Sequence, residues 1–97
     1  NFSYNFYMRF YLGSCEYKWS HKDTDMERIW VMREIGTDIY KYIEEHNFTW
    51  VLLRSQSNTL PDDIYCRCDI YVDTDENKYA TLFPLKFPHV KPVEKIL

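Results

Sequence analysis

Cys66-x-Cys68 is the closest pair of soft metal ligands in the chain, and metal chemistry there would need partners the sequence does not supply. Structural zinc sites take four ligands, usually from two such pairs, and no second pair follows. The remaining cysteine, Cys15, and the histidines His21, His46 and His89 are scattered. A Cys–His nucleophile pair meets in space rather than in sequence, and no spacing here selects one. His46 stands at the end of a helical pattern, where a cation suits the negative end of the helix dipole. Asp62-Asp63 and Asp73-x-Asp75-Glu76 gather carboxylates but lack the spacing and the Gly of a calcium loop, so they read as solvated turns. Two glycines in the whole chain leave no Gly-rich phosphate cradle. The expectation is a protein that is not an enzyme and holds no cofactor and no metal.

A second group of residues carries binding chemistry. Tyr7, Arg9, Tyr11, Trp50, Arg54, Tyr65, Arg67 and Tyr71 fall at alternate positions of β-like segments, on the side that a helix packed on the sheet would leave bare. Lys18, Leu52 and Asp69 share that side, so the predicted face is aromatic, basic and nearly free of acids. Aromatic rings interleaved with Arg stack bases while guanidinium groups meet phosphate. Tyr, Trp and Arg are equally the residues enriched at the centres of protein interfaces. A net charge of −3 and the absence of a K/R-G-F/Y motif favour the second chemistry.

The elements that must position this face follow from periodicity. Thr24 and Glu27 have capping-box spacing, and Asp23 and Asp25 put negative charge at a helix start. Ile29, Met32, Gly36, Ile39, Tyr40 and Ile43 share one arc of that helix. Glu27, Glu34, Asp38, Lys41 and Glu45 fill the opposite one. Gly36 on the apolar arc suggests close approach of a strand, and Asn47 suits the left-handed residue that ends a helix. Residues 2–12 alternate as a strand. Gly13-Ser14 fits a type II′ turn, and a second strand over 15–20 returns with Leu12 opposite Cys15 and Phe10 opposite Tyr17. Residues 49–56 read as a strand with Val51 and Leu53 inward, and 55–59 as a polar loop. Residues 64–73 read as a strand with Ile64, Cys66, Cys68, Ile70 and Val72 inward, although Pro61-Asp62-Asp63 resembles a first helical turn. Residues 79–87 read as a last strand, placed at an edge by Pro84. The predicted architecture is α+β in the order ββαβββ. An antiparallel or mixed sheet carries one long amphipathic helix, 24–46, on one face.

The chain is long enough for one core, and no linker or repeat divides it. Residues 1–87 are expected to form a single domain. Residues 88–97, which continue the even spacing Pro84, Pro88, Pro92, are expected to form an extended tail that lies along its own domain, is disordered, or engages a partner. Three cysteines, two of them too close to bridge within one strand, suit a reducing compartment and thus the cytoplasm, the host's if the protein is viral. Two glycosylation sequons begin at Asn1 and Asn47 but have no support from the cysteine usage. No signal peptide and no membrane span is expected. Half of the aromatic residues are Tyr, which suits a surface made to touch something. A small, acidic, aromatic-rich domain without catalytic motifs suits a viral or phage-type inhibitor or accessory protein. Its partner would be another protein, or a second copy of itself, met through the open face. The alternatives are a single-stranded nucleic-acid binder using the same face and a structural subunit of a larger assembly.

Overall fold

The computed structural model describes residues 8–18, 24–60 and 63–93. Its elements are β1 (Met8–Lys18), α1 (Thr24–Ile35), α2 (Thr37–Glu45), β2 (Thr49–Leu60), β3 (Asp63–Thr74), α3 (Tyr79–Lys86) and β4 (Lys91–Val93). Among the described residues the fold is α+β, with a four-stranded antiparallel sheet in the order β2-β3-β1-β4 and three helices. With α1 and α2 counted as one broken crossover, the element order is βαββαβ. Together with the strand order, that is the split-βαβ arrangement of ferredoxin-like sheets.

Four expectations from the sequence are corrected. The first is the single long helix. Gly36 has φ 90° and ψ 149°, a backbone conformation open to Gly and strained for any residue with a β-carbon. A β-carbon there would meet nothing within 4 Å, so the glycine serves the break rather than a close approach. The break also changes which side of α1 is buried. Val31 and Ile35 face the core, whereas Ile29 is exposed. In α2 the buried positions are Ile39, Tyr42 and Ile43. The Thr24 side chain of the expected capping box lies outside the described set. The helix end does follow the sequence: Asn47 takes φ 56°. The Phe48 amide donates to the Ile43 carbonyl and the Asn47 amide to that of Glu44, the paired closure of a Schellman motif.

The second correction concerns residues 8–18, which form one strand rather than a hairpin turning at Gly13-Ser14. Tyr11 pairs with Tyr71 and Gly13 with Ile70, so Leu12 is an extra residue in a β-bulge. The bulge inverts the alternation. Phe10 and Leu12 before it, and Cys15 and Tyr17 after it, all pack on the helix side. The expected turn put the same side chains on the same face; a bulge achieves this in a straight strand because β3 is long enough to pair with both halves.

Third, residues 55–59 are not a loop. β2 runs on to Leu60 and pairs with β3 along its length. The segment 63–74 is a strand, as its alternation predicts. Fourth, residues 79–86 form a helix. Tyr79 and Phe83, four residues apart, are both buried, while Thr81 between them is exposed. That is helical rather than strand periodicity. Pro84 lies inside this short helix. The tail returns as β4, with Arg9 opposite Val93 and Tyr11 opposite Lys91.

The core lies between the sheet and the helices. Tyr42 stacks on Phe83 at 5.3 Å and meets Phe48, Tyr79 and Phe87 edge-on. Phe10 of β1 packs edge-on against Phe83 at 5.0 Å. No helix among the described residues is long and apolar enough to cross a membrane. Gly36→Ala is expected to lower stability by about 1–3 kcal/mol, because it forces a β-carbon into a disfavoured conformation. Urea denaturation checks this, and an unchanged midpoint would mean the break does not depend on the glycine.

Candidate functional site: the open sheet face

The face of the sheet opposite the helices is built by alternate residues of four strands. β3 supplies Tyr65, Arg67, Asp69, Tyr71 and Asp73. β1 supplies Arg9 and Tyr11 before its bulge and Ser14 and Glu16 after it. β4 adds Lys91 and Val93, and β2 adds Val51, Leu53 and Ser55.

Five of the sequence-predicted contact residues meet here: Arg9, Tyr11, Tyr65, Arg67 and Tyr71. Tyr7 lies outside the described residues. Trp50 and Arg54 are misplaced by the sequence reading and face the helices, as does Leu52. Trp50 stands opposite Val72, Leu52 opposite Ile70 and Arg54 opposite Cys68, all inward positions of β3. The run Trp50-Val51-Leu52-Leu53 is apolar at every position, so alternation could not choose its phase. A simple two-residue hairpin at 61–62 would have turned Val51 and Leu53 inward. The register shift between Asn58 and Leu60 adds one residue and inverts that phase.

The centre of the face is an aromatic pair on the two middle strands. Tyr11 and Tyr71 are directly opposite, with ring centroids 5.2 Å apart and planes tilted by 56°. The Arg9 guanidinium lies 5.7 Å from the Tyr71 centroid. Arg9 also donates to both carboxylate oxygens of Asp73, from Nε at 2.8 Å and from a terminal nitrogen at 3.0 Å. This bidentate bond raises the Arg9 pKa further. Asp73 is itself buried, and the fork gives its carboxylate two charge-assisted hydrogen bonds. Arg67 is more exposed and bonds Asp69 two residues on at 3.3 Å. The face is therefore not nearly free of acids: Asp69 and Asp73 each answer an Arg. Beside the tyrosines runs a shallow groove of about 560 Å³, lined by Tyr11, Arg67, Asp69, Tyr71 and the β4 residues Lys91, Pro92 and Val93. The β4 side of this groove has no signal in the sequence, where the tail reads as an extended arm rather than as a strand paired with β1.

Arg54 belongs to a different structure. Its Nε donates to Glu27 at 2.6 Å, and a second guanidinium nitrogen donates to the other carboxylate oxygen. The Tyr17 hydroxyl donates to the same carboxylate at 2.5 Å. This network ties β2 to α1 and β1. Hydrogen bonding from Arg54, and then from Tyr17, holds the Glu27 carboxyl below its ordinary value, while burial pushes the Tyr17 phenol up. The thiols lie on the helix side as well. Burial raises the Cys15 thiol and pushes that of Cys68 to about 12, which keeps both protonated and poor as nucleophiles or ligands. Among the described residues no cluster of three His, Cys, Asp or Glu side chains is placed to hold a metal.

Comparison of the chain with protein-family models, with curated sequences and with solved structures finds no match.

Two outcomes follow. Arg54→Glu sets a like charge against the mostly buried Glu27 and is expected to cost about 1–3 kcal/mol. Arg67→Glu, on the exposed face, is expected to change stability by less than about 0.5 kcal/mol. Equal midpoints in chemical denaturation would contradict this division. For pH, a carboxyl whose folded pKa is depressed contributes stability above its ordinary value, 4.5 for Glu27. That contribution is lost as pH falls through the lower folded value. The wild type should thus lose more stability than Glu27→Gln as pH falls from above 4.5 through that lower value; parallel stability–pH curves across this window would contradict the assignment.

Proposed function

We propose that the protein is a non-enzymatic binding domain that engages another protein through the uncovered sheet face centred on Tyr11 and Tyr71. The observation that carries this reading is the charge pairing around the half-buried tyrosines. Arg9 is satisfied by Asp73 and Arg67 by Asp69, so the face offers aromatic and aliphatic area whose arginines are already answered, beside Lys91 and Glu16. Such a surface suits a protein partner, whose interface cores are aromatic and low in charge. It suits a polyanion less well, because binding there depends on phosphate neutralisation. Val51, Leu53 and Val93 extend the apolar area, and the groove beside β4 gives it relief. An inhibitor or accessory role acts by occupying a partner's surface and needs no catalytic group. The raised thiols of Cys15 and Cys68 and the free state of all three cysteines support a binding role in a reducing compartment such as the cytoplasm.

One observation favours a second reading. Tyr11 and Tyr71 occupy facing positions on the two central strands of a four-stranded antiparallel sheet, where RNA-binding sheets carry the aromatics that stack bases. A single-stranded nucleic acid bound there would rely on stacking more than on charge.

The test uses one variant, Tyr11→Ala/Arg67→Glu/Tyr71→Ala, whose far-UV circular dichroism should match the wild type. Wild-type bait is expected to retain a partner protein that the triple variant does not. A labelled mixed-sequence single strand is expected to show no anisotropy change at low salt. A partner held equally by both baits would remove the sheet face from the reading. Single-strand binding that weakens with salt and vanishes in the triple variant would replace the first reading with the second.

A further inference from the structure

The two edges of the sheet are finished differently. One is closed by β4, three residues long and centred on Pro92, which has no amide hydrogen to offer a further strand. The other is β2, twelve residues long, with no neighbour on its outer side among the described residues. Natural sheets block such an edge with Pro, with charge or with a covering element. The sequence Thr49–Leu60 contains no Pro and a single charged residue, Arg54, whose charge Glu27 already answers. Trp50 to Leu53 are apolar throughout, and Leu53 is 49% exposed. This edge is open to pairing where the opposite one is blunted.

We propose that β2 pairs antiparallel with β2 of a second copy of this chain across a two-fold axis, joining two four-stranded sheets into one of eight strands. The inference uses a strand edge rather than the Tyr11–Tyr71 face; Val51 and Leu53 border both, so the Tyr11→Ala/Tyr71→Ala variant separates it from the binding role proposed above. The choice of a second copy rests on self-complementarity. A two-fold axis at Leu52 sets Val51 against Leu53 of the second copy, and the reverse, on the open face. On the helix face it sets Trp50 against Arg54 of the second copy. There the guanidinium keeps Glu27 and lays its outer side on the indole, a cation–π contact. Thr49 meets Ser55. Every apolar residue from 50 to 53 then gains an apolar or cation–π partner, and no two like charges meet. An axis at Arg54 would oppose two guanidinium groups. An axis at Leu53 would set Val51 against Ser55 and Leu52 against Arg54, leaving one apolar pair. Charge excludes the Arg54 axis and lost apolar pairing the Leu53 axis; an axis at Val51 would set Leu53 against Thr49, so the Leu52-centred register is the one that gives all four residues such a partner.

Sedimentation velocity of the wild-type chain up to about 0.1 mM reads the proposal directly, because a dissociation constant below about 0.1 mM populates the dimer within that range. The expected result is a mass that rises from monomer to dimer with concentration. In parallel, the outer-edge amides of β2 should become protected from hydrogen exchange as concentration rises, a readout that needs no substitution. Val51→Lys and Leu53→Glu, each on the open face, should each raise the dissociation constant about tenfold or more. The double variant should recover, because the introduced lysine faces the introduced glutamate across the axis. A wild type that stays monomeric throughout, a dimer unaffected by either single substitution, or a double variant that fails to recover overturns the proposal. A dimer lost in Tyr11→Ala/Tyr71→Ala but kept in the β2 variants would overturn it too, and would assign self-association to the sheet face instead.

Discussion

The stack of Tyr42 on Phe83 is the centre of the aromatic contacts that join α2 to α3. Tyr42 lies on α2 and Phe83 on α3, and neither helix is long enough to be stable alone. Around this contact, Phe10 brings in β1, Phe48 the start of β2, and Tyr79 and Phe87 the two ends of α3. Buried aromatic pairs add roughly 0.5–1.5 kcal/mol each beyond their area. The cluster therefore does more than fill space. It sets where α3 docks, and α3 leads the chain back so that Lys91–Val93 can add to β1. The groove on the far face depends on that return, because three of its lining residues belong to β4.

Charge is distributed so that each half of the sheet has one strong polar tie. On the open face, the fork from Arg9 to Asp73 links β1 to β3 across a directly opposed pair. On the helix face, Glu27 gathers Arg54 from β2 and Tyr17 from β1 beneath α1. Each carboxylate is largely withdrawn from solvent, and each is met by a planar two-pronged donor, the geometry that best offsets lost hydration. Arg9 and Arg54 are thus committed to the fold, while the outer surface keeps the exposed Arg67–Asp69 pair among its rings and aliphatic side chains. The chain's acidic net charge resides elsewhere, on exposed helix and turn positions such as Asp38, Glu45, Asp75 and Glu76.

Several features were legible from residue types alone, because they depend on neighbours in sequence. The strand at 63–74 declares itself by ten residues of strict alternation, with Cys66, Cys68, Ile70 and Val72 buried as the pattern requires. α1 begins at Thr24, and the left-handed Asn47 that ends α2 follows from local chemistry. Arg9, Tyr11, Tyr65, Arg67 and Tyr71 could be assigned to one face because each sits in a segment whose alternation is clear. An α+β class followed from one helical period among several strand periods.

What only the tertiary structure decided is the phase of strands whose own pattern is ambiguous, and the reason is a pair of single-residue irregularities. An extra residue at Leu12 turns an expected hairpin into one continuous strand while leaving its buried side chains where the hairpin would have put them. A register shift between Asn58 and Leu60 moves Trp50, Leu52 and Arg54 from the open face to the helix face. Because side chains alternate with a period of two, one inserted residue exchanges every position beyond it, and no local propensity records the insertion. The helix at Tyr79–Lys86 is decided in the same non-local way. Its residues alternate well enough for a strand, but the ring of Tyr42 is reached by Tyr79 and Phe83 together only when four residues make about one turn.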